Sequence, residues 1–300
     1  MSRSAAALAL AAVMLAWPAA AAAQACCAGG ALVNPTRLAP YEDAAAGLQL
    51  RARGMHGSFD AGGRYTSARQ EQELEQDLAA SVRVTRRGQA GVLVPFVQTR
   101  RVEGDASSAG AGLGDVGLTA RYDFALASET LHWPGFALLA SVVFPTGQAA
   151  GSGTNPAGTD ATGTGTLNGS LGVSLEKIHG PLYFALDAWL TLSGDRTVAG
   201  FTTAFPPQVT AVGVAGYVFE SEAAVALYVS FLDRGNTTLD DVTQPGTELR
   251  LTTAGVSGLL PIGELWRLQG TLFADLPIDS LGRNEQASAG LSVALVHLFL

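Results

Sequence analysis

Charged and polar side chains in this sequence recur at every second position, not in the tight clusters that metal binding or nucleophilic catalysis needs. Gln49, Arg51 and Arg53 are spaced by two, as are Glu73, Glu75 and Asp77, while Asp115, Arg121 and Asp123 keep one parity, with Arg83 in phase with the glutamates. Residues two apart on an extended chain share a face. Such rows suit ion pairing between neighbouring strands and contact with a passing solute. By the same parity Asn168, Ser170, Glu176, Asp187, Trp189, Glu248, Arg250, Arg267, Gln269 and Asp275 join the polar face. Within it, Arg51, Arg53, Asp77, Arg121, Asp187, Trp189, Arg250 and Gln269 are the candidate substrate-binding, pore-lining residues. A strongly selective pore would favour a ring of one sign. The mixture here leaves cross-bracing and solute contact both open.

Other chemistry has less to stand on. Cys26 and Cys27 are adjacent, so they cannot join distant segments. They make a vicinal dithiol for a soft metal ion, a strained local disulfide or a tail without a role, and are the candidates for soft-metal binding. The four histidines are His56, His132, His179 and His297. His297 is opposite in parity to Ser288 and Ser292, so no same-strand Ser–His pair forms, and no nucleophile motif is present. We expect no enzyme, no catalytic residue and no cofactor. The stretch Thr154 to Thr164 and the pair Asp240 and Asp241 could meet Ca²⁺, although solvated loops account for them equally.

The elements that would position these residues follow from the alternation. From Gly114 to Phe124, Val116, Leu118, Ala120, Tyr122 and Phe124 alternate with Asp115, Gly117, Thr119, Arg121 and Asp123. About ten such residues cross a bilayer as a tilted strand. Similar segments run over 46–56, 73–85, 90–101, 114–124, 135–145, 165–176, 182–193, 208–219, 223–232, 248–259, 265–276 and 288–300. An even count of twelve, with long polar connections after odd strands (102–113 and 146–164 among them) and short ones after even strands, predicts an all-β fold. It is a transmembrane antiparallel β-barrel of about 12 strands, with short periplasmic turns and long extracellular loops, because a sheet between lipid and water must close. A soluble sandwich or lipocalin-like barrel would also alternate. It would not need so many outward Leu and Val. Tyr122, Phe124, Trp133, Phe136, Tyr183, Phe184, Tyr217, Phe219, Trp266 and Phe299 fall near the short-turn ends, as a periplasmic girdle would. Phe96, Phe144 and Phe231 make a thinner outer belt.

Composition and the N-terminal region set the expected compartment. Arg3, the apolar Ala5 to Trp17 and the small residues Ala19 to Ala23 predict a signal peptide over 1–23. The apolar stretch is short for a transmembrane anchor, and Gln24 and Ala25 are poor residues before a lipidated cysteine. Residues 24–44 then form an N-terminal periplasmic segment or plug, long enough to enter a barrel, and residues 45–300 the outer-membrane β-barrel. Net charge is −8, or −9 once Arg3 is removed, which argues against a nucleic-acid surface. Beyond the signal no run of about eighteen apolar residues appears, so helical spans are not expected. The final strand, Ala289 to Phe299, is amphipathic with a near-terminal aromatic, of the kind read by barrel-assembly machinery.

Gly112-Leu113-Gly114-Asp115-Val116, then Ala120-Arg121-Tyr122, Phe144-Pro145-Thr146-Gly147, Gly163-Thr164-Gly165 and Gly282-Arg283-Asn284 resemble the outer-membrane β-barrel family of the MetA-pathway phenol-degradation and transporter type. The likeness spans roughly 45–300 and rests on short, glycine-based motifs. These glycines serve turns and close strand approach; no helix follows them, so they are no phosphate loop. The resemblance implies passage of small solutes, hydrophobic or aromatic ones included. The expected function is therefore passive uptake through an outer-membrane channel or transporter, reached by Sec-type export. Expected partners are outer-membrane lipid, the assembly machinery and a small-molecule solute, with no nucleic acid, and the expected state is a monomer. The alternative is a structural or adhesive barrel with a closed lumen.

Overall fold

The computed structural model describes residues 34–67, 71–103, 106–129, 132–155, 157–198 and 200–300. The expected signal peptide, Cys26 and Cys27 lie outside the described residues.

Twelve strands form the staves of one barrel: β1 (Ala44–Phe59), β3 (Glu71–Thr85), β4 (Gly88–Glu103), β6 (Val116–Ala125), β7 (Gly135–Phe144), β8 (Asn168–His179), β9 (Leu182–Ser193), β12 (Gln208–Val218), β13 (Ala224–Arg234), β16 (Leu249–Ile262), β17 (Trp266–Asp275) and β18 (Gln286–Phe299). Six shorter strands sit at the long-loop end: β2 (Tyr65–Ser67), β5 (Ala106–Leu113), β10 (Arg196–Val198), β11 (Phe201–Ala204), β14 (Thr238–Leu239) and β15 (Val242–Thr243). Each stave pairs antiparallel with its sequence neighbour, and β18 returns to β1 from Ala44 opposite Phe299 to Ser58 opposite Gln286, with one register shift between Met55 and Gly57. That last ladder leaves the barrel no open edge. β10, β11, β14 and β15 make a separate four-stranded sheet on the long connections.

The alternation predicted from sequence sorts the side chains. Leu48, Leu50, Leu78, Val82, Leu118, Leu171, Leu186, Leu227, Val229, Leu272 and Leu291 are exposed on the outer wall, while their alternating neighbours turn inward. Outward rings touch near the short-turn end: Tyr122 meets Phe124 edge-on at 4.9 Å, Phe124 meets Phe136 across strands at 5.6 Å, and Tyr217 meets Phe219 at 5.0 Å. An apolar band with an aromatic rim is what lipid and headgroup require. Tyr183 does not belong to that rim. It follows Leu182 and precedes the outward Phe184, so it must face inward, and it is fully buried.

Two features of the upper wall differ from expectation. Residues 102–113, expected as a polar connection, instead continue β4 and form β5, paired from Phe96 opposite Leu113 to Glu103 opposite Ala106. Ser107 to Gly112 are all small or polar, so no apolar phase marks them as strand. Between β5 and β6 the wall jumps a step: Leu113 faces Phe96 whereas Gly117 faces Leu93. Pro95 has no N–H to give the ladder there. Its carbonyl takes the Gly114 N–H at 2.8 Å, and a Cβ on Gly114 would sit 2.8 Å from the Pro95 ring.

Candidate functional site in the barrel lumen

The charged rows expected from sequence meet across β1, β3 and β4. Arg51 is opposite Glu75, Arg53 opposite Glu73, and Glu71 opposite Arg101. The register alone brings opposite charges together. Arg51 reaches Glu75 at 2.5 Å, Arg101 reaches Glu71 at 2.5 Å, and Arg53 grips both Glu73 oxygens at 2.9 and 2.8 Å. The far wall is mostly uncharged: Asp275 is held by the Thr253 and Ser288 hydroxyls at 2.6 and 2.9 Å, Ser257 pairs with Thr271 at 3.0 Å, and Val212, Val214, Ala226 and Phe273 stand among hydroxyls and Gln269.

Residues 34–43 cross this lumen at its short-turn end. Arg37 donates to Glu176 on β8, with Nη2 to Oε2 at 2.7 Å, and to the Tyr183 hydroxyl on β9 at 3.4 Å. The Leu38 N–H donates to Gln89 on β4 at 3.0 Å, Ser81 on β3 donates to Thr36 at 3.1 Å, and Arg267 on β17 donates to Glu42 at 3.2 Å. Arg83 binds the Ala39 and Glu42 carbonyls. Partners spread so widely around the circumference place the segment inside the tube. Leu38 packs with Ala45, Val296 and Leu298, and Tyr183 lies in a buried cluster with Val214, Val218 and Leu259. Glu176 also receives Arg121 at 3.0 Å, and Arg121 holds Asp123 at 2.7 Å.

Above the segment, cavities of the lumen gather these side chains. One, of about 420 Å³, brings Arg51, Asp77, Arg121, Asp187 and Trp189 together; another, of about 480 Å³, brings Arg51, Arg53 and Gln269 together with Tyr228, Phe273 and Asp275. Arg250 is a correction. On β16 the exposed Val256, Leu260 and Ile262 set even numbers outward, and the ladder with β13 carries no bulge. Arg250 therefore points out, 2.9 Å from Asp233 and 5.8 Å from the centre of the outward Phe231 ring, while Leu251 turns into the lumen. Leu249 and Leu251 mimic an outward phase that the strand does not keep. Glu248 shares the error and pairs with Arg283 instead.

At the outer rim two carboxylates hold backbone. Asp115 accepts the Gly147 N–H at 3.0 Å and the Thr164 N–H at 2.6 Å. Asp160 accepts the N–H groups of Thr154 at 2.7 Å and Asn155 at 3.0 Å, and these bonds hold its carboxyl below the usual aspartate range. Among the described residues no group of His, Cys, Asp and Glu is arranged to hold a metal. Sequence reasoning did not single out Arg37 and Glu42, because neither lies in a periodic segment.

No family model matches this chain, and no curated protein matches it. Among solved structures it is similar to an outer membrane channel from Pseudomonas putida F1, with TM-score 0.75 and 17% identity over 89% of this chain and 98% of that one. Looser likenesses are the translocator domain of the autotransporter NalP from Neisseria meningitidis (TM-score 0.48, 14% identity, 94% of this chain and 100% of that one) and a deletion mutant of the monoaromatic hydrocarbon channel TodX (0.46, 12%, 90% and 94%). Only the first carries weight, and what it carries is the fold. The architecture that the motifs from Gly112 to Asn284 implied is thus the one present: this chain has the fold of a twelve-stranded outer-membrane β-barrel.

Proposed function

We propose that the protein is an outer-membrane channel through which small solutes, hydrophobic and aromatic ones among them, enter passively. The observation that carries this reading is the lumen itself, whose charged wall is braced by its own ion pairs and faces a wall rich in hydroxyls and apolar side chains across cavities of about 420 and 480 Å³. A solute with little charge can lie against such a surface without stranding a buried ion. The P. putida protein of like fold is described as an outer membrane channel, which supports the reading. In it Arg51, Arg53, Asp77, Arg121, Asp187, Trp189 and Gln269 line the path, and residues 24–44 act as a plug that must shift for passage. The chain reaches the outer membrane after loss of residues 1–23, is assembled there by the barrel machinery, and works as a monomer surrounded by lipid.

Planar-bilayer recording of the purified protein tests this. Discrete conductance steps are expected, growing severalfold in a variant lacking residues 24–43. A variant that keeps heat-modifiable gel migration, and so its barrel, yet stays electrically silent with and without that segment would sink the channel and favour the adhesive barrel.

A further inference from the structure

Three carboxylates, Asp77, Glu176 and Asp187, line the 420 Å³ cavity, and the guanidiniums beside them are drawn to other partners as well. Arg37, Arg51 and Arg121 border it. Arg37 is taken by Glu176, and Arg121 is shared between Asp123 at 2.7 Å and Glu176 at 3.0 Å. Arg51 binds Glu75 at 2.5 Å and leaves Asp77 at 3.9 Å. Three guanidiniums thus meet five carboxylates, and the two left over, Asp77 and Asp187, both line the cavity. Asp77 lies against Glu75 and Asp187 against Ser174, yet Oδ1 of each is buried with no hydrogen-bond partner among the described residues. The Asp77 side chain is only 4% exposed. Buried acceptors in that condition are costly unless a donor meets them.

An aromatic face borders the same space. Trp189 lies on Gly172 of the neighbouring strand, where a Cβ would come within 2.7 Å of the indole. The missing side chain lets the ring lie close to the wall, and Trp189 still lines the cavity with Leu139 and Val212. Asp187 stands two residues from Trp189 on the inward face of β9, while Asp77 faces the same space from β3, five staves away. A carboxylate with an unmet acceptor beside an indole is what holds an organic cation.

We propose that this cavity binds a solute made of a protonated amine on an apolar body, its ammonium on Asp187 and its body against Trp189, with Asp77 on the facing wall adding to the negative field. The proposal rests on the channel reading and narrows its substrate class. Calorimetry on the full mature protein in detergent, with phenethylammonium, phenethyl alcohol and phenylacetate as probes, tests it. Phenethylammonium is expected to bind at least tenfold more tightly than the alcohol, and phenylacetate more weakly than either. In D77N/D187N the ammonium should fall to the level of the alcohol while alcohol binding is unchanged. Should the double variant fail to assemble, D187N singly should weaken the ammonium at least threefold and D77N by less. Equal binding of ammonium and alcohol by the unaltered protein, or an ammonium preference that survives these substitutions, overturns the proposal. Permeation of phenethyl alcohol into proteoliposomes is scored separately: its absence beside an intact ammonium preference removes the channel reading and leaves the site standing.

Discussion

The ion pairs at the two ends of the lumen are built from the same residue types and do different work. At the short-turn end Arg37–Glu176, Arg121–Glu176 and Arg267–Glu42 have side-chain exposures of 11%/5%, 10%/5% and 7%/2%. Toward the mouth Arg51–Glu75 and Arg53–Glu73 stand at 38%/15% and 38%/11%. Water still reaches the arginines of the second set, so solvent screens those pairs. The first set is committed: a charge there has nowhere else to go. Burial therefore separates a lock on residues 34–43 from a brace on the wall.

The largest expected effect breaks the lock. Glu176→Gln leaves Arg37 and Arg121 short of a carboxylate in a buried site, and removing one partner of such a pair costs about 3–5 kcal/mol. Urea unfolding from phospholipid vesicles should register that loss, with higher conductance at low urea. Replacing both Arg37→Met and Glu176→Leu should recover most of the stability, since Arg121 retains Asp123 at 2.7 Å and no buried charge is orphaned. A loss below about 1 kcal/mol for Glu176→Gln would put this end on a par with the mouth.

A smaller effect is expected from the brace. A double-mutant cycle over Arg53→Ala and Glu73→Ala should give a coupling of about 0.2–1 kcal/mol, because the arginine is more than a third exposed and solvent screens the pair. The coupling should shrink further at 1 M salt. Coupling as large as the lock's would mean that the mouth is as dry as the opposite end.

What could be read ahead of the structure divides along the same line. The brace was legible because Arg51, Arg53, Glu73 and Glu75 lie in strands, where a period of two assigns each a face and neighbouring strands supply the partner. The lock was half legible. Glu176 and Arg267 fall on the polar parity, but Arg37 and Glu42 lie in a segment with no period, and only the closed tube says what they reach. Tyr183 was misplaced by counting aromatics near strand ends without asking which face each takes. Arg250 was misplaced because Leu249 and Leu251 stand above the lipid band, where an apolar residue no longer has to face outward. Parity is informative only where lipid enforces it.

The rim should show the smallest effect, and its sign follows from hydrogen bonding. Asp160 is half-buried at the rim, and its carboxylate accepts the Asn155 and Thr154 N–H groups, which favour the charged form and lower its pKa. In an unfolded loop the group titrates near the ordinary aspartate value of about 3.9. A carboxylate with a depressed folded value contributes its full stabilisation above that unfolded value and loses it as pH falls through the folded one. Amide exchange at Thr154 and Asn155 should therefore stay slow at pH 7 and at pH 5, then quicken, after correction for intrinsic rates, only below about pH 4. Asp160→Asn should remove that pH dependence while leaving conductance and barrel stability as they were, because no lumen ion pair involves this residue. Exchange that is already fast at pH 7 would mean that the backbone clasp does not order the rim. The gradient from committed charge at one end of the lumen to solvated charge at the other would then continue outward into a loop that its own carboxylate cannot hold.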